Sequence, residues 1–298
     1  MVLSSCLFFE GGRHMKDIIL DTFLDTLKLI PFLFITFLIL EYIEHRFSKK
    51  NKDKISKAGK FGPILGSILG AFPQCGFSVM ATNLYMARII TIGTLISVYL
   101  STSDEMLPIL ISERVSLTII LKFIVIKVII GMICGIILDL IFNKKNKVNE
   151  NKIEEFCTEH NCNCNHNHSI LKSSIKHTLN IVLFIVIITF ILNTGFHFLG
   201  EEKISKLFLK DNLFSPFISS LIGLIPNCGA SVILTQLYLN KVISFGSSIS
   251  GLLTGSGVAL LVLFKVNKDK KENFKILLIL YLIGALSGMI IEVISMLF

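Results

Sequence analysis

The chain lacks the signatures of an enzyme or an ATP-driven machine. No Gly-rich loop ending in Lys-Ser or Lys-Thr is present to cradle a nucleotide phosphate, and Gly255-Ser256-Gly257 has neither the Lys nor a strand before it. No Ser or His clusters with an acid as a nucleophile and its base do. ATP hydrolysis, enzyme activity and a resident cofactor are therefore not expected. Charge is sparse at 17% of residues against 52% hydrophobic ones, a balance far from that of a soluble globular domain. The net charge of +8 sits in a few loops without interleaved aromatics, so it reads as a membrane-orientation signal and not as a nucleic-acid surface. The seven cysteines do not form a disulfide framework. Cys75, Cys134 and Cys228 lie in apolar segments, while Cys157, Cys162 and Cys164 sit among histidines in one loop, which points to reduced thiols. Met1–His14 lacks the apolar stretch of a cleaved signal peptide, and Met15-Lys16 offers a second plausible start.

What the chain does have is long apolar stretches and a copy of itself. Leu27–Tyr42, Leu117–Phe142, Ile181–Leu199 and Ile276–Phe298 read as spans of a lipid bilayer, which takes about 20 residues of helix. Pro73-Gln74-Cys75-Gly76 recurs as Pro226-Asn227-Cys228-Gly229, and the match continues without a gap on both sides. Pro63, Ser67 and Gly70 fall on Pro216, Ser220 and Gly223; Ser78, Thr82 and Tyr85 fall on Ser231, Thr235 and Tyr238. Gly131, Gly135 and Asp139 fall on Gly284, Gly288 and Glu292. Two copies of one apolar unit, each interrupted by Pro and Gly at the same place, is the pattern of a secondary transporter built from repeats. The expected organisation is a first transmembrane repeat over 17–145, a linker over 146–170 and a second repeat over 171–298.

Equivalent loops carry opposite charge patterns. Segment 46–60 holds seven basic residues from Arg46 to Lys60 against Asp53 alone, while its partner 199–213 balances Lys203, Lys206 and Lys210 with Glu201, Glu202 and Asp211. Segment 111–116 has only Glu113 and Arg114, whereas 265–275 carries Lys265, Lys268, Lys270, Lys271 and Lys275. Under the positive-inside rule the copies face opposite ways, an inverted repeat. Inversion needs an odd number of crossings per copy. The segment 62–86 breaks at Pro73–Gly76 into halves of about 11 residues, each about half the apolar thickness of a bilayer. It reads as a re-entrant hairpin followed by a span over Ile90–Leu110. The predicted fold is thus an all-α membrane protein, an inverted repeat of two halves, each with three spanning helices plus a Pro/Gly-broken re-entrant hairpin. A single kinked crossing over 62–86, with parallel repeats, is the alternative.

Four groups of residues are candidates for chemistry. Unwound backbone at membrane depth is tolerated where it is buried or lines a cavity. Cys75 and Cys228 at the breaks, Gln74 and Asn227 beside them, and Ser78, Thr82, Asn83, Ser231, Thr235 and Gln236 on the following half-helices could therefore line a substrate site. The competing reading is that Pro and Gly simply allow close packing around two small buried thiols. The second group is Ser103, Asp104 and Glu105 in Ser-Thr-Ser-Asp-Glu, whose counterpart Thr254-Gly-Ser-Gly257 also breaks but has no acid. Carboxylates are hard ligands suited to Mn²⁺-like cations, and acids inside an apolar span usually face a cavity or a partner. The third group is Glu41, Glu44 and His45, spaced to share one helix face at the end of the first span, where they could admit a cation or offset the lysines that follow. The fourth is the loop with Cys157, His160, Cys162, Cys164, His166 and His168, dense enough to gather metal but without zinc-finger spacing. Lys127 lies well inside its span and is expected to need a carboxylate such as Asp104 or Glu105; Asp139 and Glu292 read as interfacial.

The paired Phe-Pro-Gln-Cys-Gly and Ile-Pro-Asn-Cys-Gly-Ala-Ser breaks, the Ser-Thr-Ser-Asp-Glu-Met-Leu-Pro segment and the Glu-Tyr-Ile-Glu-His helix end resemble the ten-helix heavy-metal exporter family, whose members are labelled manganese transporters or arsenic efflux proteins. The Cys/His-rich central loop is also typical of that group. The resemblance runs from about Asp17 to Phe298 and matches at Glu41, Glu44, His45, Cys75, Asp104, Glu105 and Cys228. It implies a multi-pass efflux protein of the bacterial inner membrane, whose partners are the lipid bilayer and a metal or metalloid ion. The expected activity is secondary export of a heavy-metal cation, Mn²⁺ ahead, coupled to protons. Alternatives are efflux of trivalent arsenic through the paired cysteines, and a membrane metal sensor that does not transport. The oligomeric state stays open, a homo-oligomer included.

Overall fold

The computed structural model describes residues 61–72, 75–103, 105–142 and 214–297, together with parts of 22–38 and 175–194. Among the described residues every regular element is helical. The first copy contributes α1 (Gly62–Gly70), α2 (Gly76–Met86), α3 (Ile92–Ser101), α4 (Met106–Ser112) and α5 (Leu117–Phe142). The second contributes α6 (Ser215–Gly223), α7 (Cys228–Leu239), α8 (Phe245–Thr254), α9 (Ala259–Val266) and α10 (Lys270–Leu297). A further apolar helix, Thr178–Ile191, precedes the second set.

The breaks predicted from Pro and Gly fall where expected, and local chemistry places most helix ends at matching positions in the two copies. Pro63 and Pro216 occupy the first turn of α1 and α6, where a missing N–H costs nothing. The Thr91 hydroxyl caps α3 by accepting from the Thr94 N–H at 3.1 Å, and Ser244 caps α8 by accepting from Ser247 at 3.1 Å. Both α2 and α7 end with a non-glycine residue in the left-handed region, Arg88 at φ 57° and Lys241 at φ 56°. The Ile89 and Val242 amides then close back on Leu84 and Leu237 carbonyls at 2.9 Å, the bonding of a Schellman stop.

Small residues set the packing. A side chain on Gly62 would meet Thr94, one on Gly66 would meet Ser97, and one on Gly70 would meet Ser101, so α1 and α3 run side by side in the same direction. Gly131 faces Ser97 and Ser67, and Gly135 faces Gly93 and Pro63, so α5 runs against both. The second copy repeats this three-helix unit: Ser250 Oγ donates to the Pro216 carbonyl at 2.6 Å, Thr254 Oγ1 to that of Ser220 at 2.9 Å, and Gly284 and Gly288 lie against Ser250. Tight backbone contact through Gly and Ser is how helices associate where lipid removes the hydrophobic driving force.

Leu117–Phe142, Phe245–Val266 and Lys270–Leu297 are each long and apolar enough to cross a membrane. They differ in burial. Phe245–Val266, interrupted between α8 and α9, is 83% buried, against 22% for α5 and 33% for α10, so the broken segment is central and the unbroken ones face outward. The expected spans over 117–142 and 276–298 correspond to α5 and α10, and the expected span over Ile90–Leu110 is α3 and α4 with a break between them. The copies also interlock: α2 packs on α3 of its own copy and α9 of the other, and α7 packs on α8 and on α4.

Candidate functional site

The half-helices after the two Pro-x-Cys-Gly breaks carry the same hydroxyl ladder. Thr82 Oγ1 donates to the Ser78 carbonyl at 2.8 Å and Thr235 Oγ1 to that of Ser231 at 2.7 Å, so each Thr turns its hydroxyl into its own helix. Thr82 also shares a 2.6 Å hydrogen bond with the Tyr99 hydroxyl, which fixes α2 on α3. Ser78 Oγ donates to the Cys75 carbonyl at 2.7 Å and approaches the Ser256 carbonyl at 3.4 Å. A Cβ built on Gly255 would come within 3.1 Å of Ser231 Oγ. Equivalent serines of the two copies thus meet adjacent residues of one break, Gly255-Ser256, where Gly257 takes φ 56°. Cys75 and Cys228, the thiols of the two motifs, are both buried.

The two breaks after α3 and α8 are joined by Lys127 of α5. Its side chain is buried, and the ammonium donates to the Thr102 carbonyl, past the end of α3, and to the Leu252 carbonyl of α8 at 2.8 Å. Where the sequence pointed to a carboxylate, the structure brings carbonyls of two helix C-termini to this ammonium, and these carry the negative pole of the helix dipole. Ser103 is buried and donates to the Ser101 carbonyl at 3.0 Å, while Glu105 sits half-buried at the start of α4.

Several buried polar atoms among the described residues have no hydrogen-bond partner. Both amide atoms of Asn83, Oε1 of Gln236 and Oγ of Ser256 are buried without one. Asn83 and Gln236 occupy equivalent positions on α2 and α7. Leaving such a group unpaired costs about 1–3 kcal/mol, so each of these atoms needs an explanation. The side-chain oxygen of Asn227 caps α7 by accepting from the Gly229 N–H at 3.1 Å. Gln74, Asp104, the Glu41/Glu44/His45 group and the loop with Cys157, His160, Cys162, Cys164, His166 and His168 lie outside the described residues. Among the described residues no three of His, Cys, Asp and Glu come together, so the donors in view are hydroxyls, amides, carbonyls and two thiols.

Two features were not foreseen from the sequence. Asp139 accepts from the Thr91 hydroxyl at 2.7 Å and the Gly93 N–H at 2.9 Å, and Glu292 accepts from the Ser244 hydroxyl at 2.5 Å, so these acids fasten the N-termini of α3 and α8. Their matching registers were the available signal. The other is a bridge between copies at the far end of α2. Arg88 makes a two-pronged ion pair with Glu272 at 3.0 and 3.2 Å, and Glu272 also accepts from Tyr85 Oη at 2.6 Å and Asn267 Nδ2 at 3.1 Å. Glu272, one of two acids with Asp269 in the lysine-rich 265–275 stretch, was the available signal.

Broken apolar helices whose interruptions converge on buried, partly unpaired polar groups define an integral membrane protein built like a transporter. The family model described as "Putative, 10TM heavy-metal exporter" matches residues 14–198 and 181–296, and the chain belongs to that family. No curated protein and no solved structure matches it.

Proposed function

We propose that this protein exports a heavy-metal cation, Mn²⁺ ahead of softer ions, across the bacterial inner membrane in exchange for protons. The observation that carries this reading is the meeting of Ser78 and Ser231, one from each Pro-x-Cys-Gly motif, at the Gly255-Ser256 break. The chamber around that break supplies oxygen donors: the hydroxyls of Ser78, Ser103 and Ser231, the amides of Asn83 and Gln236, and carbonyls of unwound backbone. Gln74, Asp104 and Glu105 complete the donor set, with Asp104 and Glu105 supplying charge; oxygen ligands of this kind suit Mn²⁺. Glu41, Glu44 and His45 form an entry point, and the Cys/His loop gathers metal on the cytoplasmic side.

The transport cycle is alternating access between two inverted copies, each with a re-entrant hairpin over 62–86 or its equivalent. Support for the hairpin comes from the shared direction of α1 and α3, because the chain between Gly70 and Ile92 must give back the length that α1 has gained. Support for inversion comes from the opposite charge of equivalent loops. The test is metal content, measured element by element, in cells with and without the gene. Asp104→Ala cells should accumulate Mn²⁺ and become sensitive to it, and full resistance would remove the acid site.

The burial of both Cys75 and Cys228 at the converging breaks favours one second reading, export of trivalent arsenic on paired thiolates. Cys75→Ser with Cys228→Ser separates the two, since arsenite sensitivity with intact Mn²⁺ tolerance selects the thiol route. Metal binding without flux in proteoliposomes would leave a sensor.

A further inference from the structure

Lys127 is the one described charge that the structure holds against both breaks at once, and its chemistry is that of a cation. It lies near the middle of α5, where an ammonium costs about 2.5–3.5 kcal/mol on insertion scales. Packing does not demand it, because the equivalent position in the second copy is Leu280, which is fully buried in the matching place on α10. The side chain instead delivers a positive charge to two carbonyls, Thr102 from the first copy and Leu252 from the second. Each belongs to a helix that stops inside the protein, and each is the kind of ligand a broken helix offers to a transported cation.

We propose that Lys127 is the charge the carrier keeps when it returns without cargo. This rests on the export reading given above. A chamber that binds a cation on carboxylate and C-terminal carbonyls is left, once the cation has gone and protons have neutralised the carboxylates, with uncompensated negative helix ends. Moving such a chamber through the closed, dehydrated state of the cycle is costly. The Lys127 ammonium, tethered between the two copies, offsets those ends with no cation bound. The cargo-loaded carrier has its own cation and depends on Lys127 far less. Lys127 is thus a positioning residue for the return leg, and its single occurrence gives the two copies unequal parts in the cycle.

Mn²⁺ tracer in proteoliposomes of the full chain separates the two legs. Net efflux into Mn²⁺-free buffer requires the carrier to return without metal, whereas exchange with Mn²⁺ on both sides uses only the metal-loaded one. Lys127→Met should lower net efflux about tenfold or more while exchange stays within about threefold of the wild type. Lys127→Arg, which keeps the charge, should retain both. Lys127→Gln keeps N–H donors for the carbonyls without the charge, so it should behave like Lys127→Met; a purely structural tie would be rescued by it. Equal loss of exchange and efflux in well-folded Lys127→Gln, or loss of neither, would overturn the proposal. Absence of both fluxes in the wild type would instead remove the export reading beneath it.

Discussion

Glu272→Gln removes the charge on which the bridge between the copies turns. In the wild type the carboxylate accepts two N–H groups of Arg88, the Tyr85 hydroxyl and the Asn267 amide, so it ties the end of α2 in the first copy to the start of α10 in the second. The two charged side chains are 19% and 20% exposed. Removing one partner of a fully buried pair costs about 3–5 kcal/mol, and an exposed pair is worth about 0–1 kcal/mol. With a two-pronged geometry and one-fifth exposure, the loss should be about 2–3 kcal/mol, because Arg88 stays partly buried and faces an amide. In a chain of this size that is a drop in Tm of about 3–5 °C. Heating in detergent, followed by the fraction remaining monodisperse, reads it directly. Arg88→Met together with Glu272→Gln should cost less than the sum of the single changes, with a coupling of about 1–2 kcal/mol. A Glu272→Gln Tm within about 1 °C of the wild type would refute the reasoning.

Other expectations follow from individual contacts. Gly135→Ala should destabilise by about 1–3 kcal/mol, since the added methyl meets the Gly93 carbonyl at 2.7 Å and the Cβ atoms of Pro63 and Ser97 at 2.9 Å; an unchanged Tm would mean that α1, α3 and α5 are not packed this closely. Asp139→Ala and Glu292→Ala should each cost about 1–2 kcal/mol by freeing the starts of α3 and α8, and similar losses for the two are expected from their equivalent roles. Ser78→Ala with Ser231→Ala should weaken Mn²⁺ binding about tenfold or more in equilibrium dialysis, with little change in Tm; full affinity would take the Gly255-Ser256 break out of the chamber. Replacing all six Cys and His between Cys157 and His168 by Ser should lower metal binding by the purified protein while export persists, and unchanged binding would end the role given to that loop.

Membrane character, the duplication and the positions of the breaks were all readable in the chain. Pro and Gly act on the backbone where they stand, and an apolar run of bilayer length needs no partner to be recognised. The stops at Arg88 and Lys241 were harder to see, because neither is the glycine that usually takes the left-handed turn. The uses of the polar residues were not legible in the sequence. Asn227 holds a helix end, Asp139 and Glu292 fasten helix starts, and Asn83 and Gln236 keep the unpaired atoms. A side chain that can cap, pair or wait for a ligand has the same one-letter code in each case. Which of these it does is decided by the groups that other helices bring to it.

The amino-acid order alone therefore determined which stretches are long and apolar enough to cross a membrane, where the helices break and that the pattern occurs twice. Only the tertiary structure decided that α2 lies on α9 of the other copy and α7 on α4, that Lys127 reaches one carbonyl from each copy, and that Glu272 binds Arg88. Helix starts and stops answer to neighbours within a few residues, whereas these contacts join residues far apart in the chain. Their partners are chosen by the fit of small-residue faces and by the need to satisfy charge away from water, and no local pattern records either.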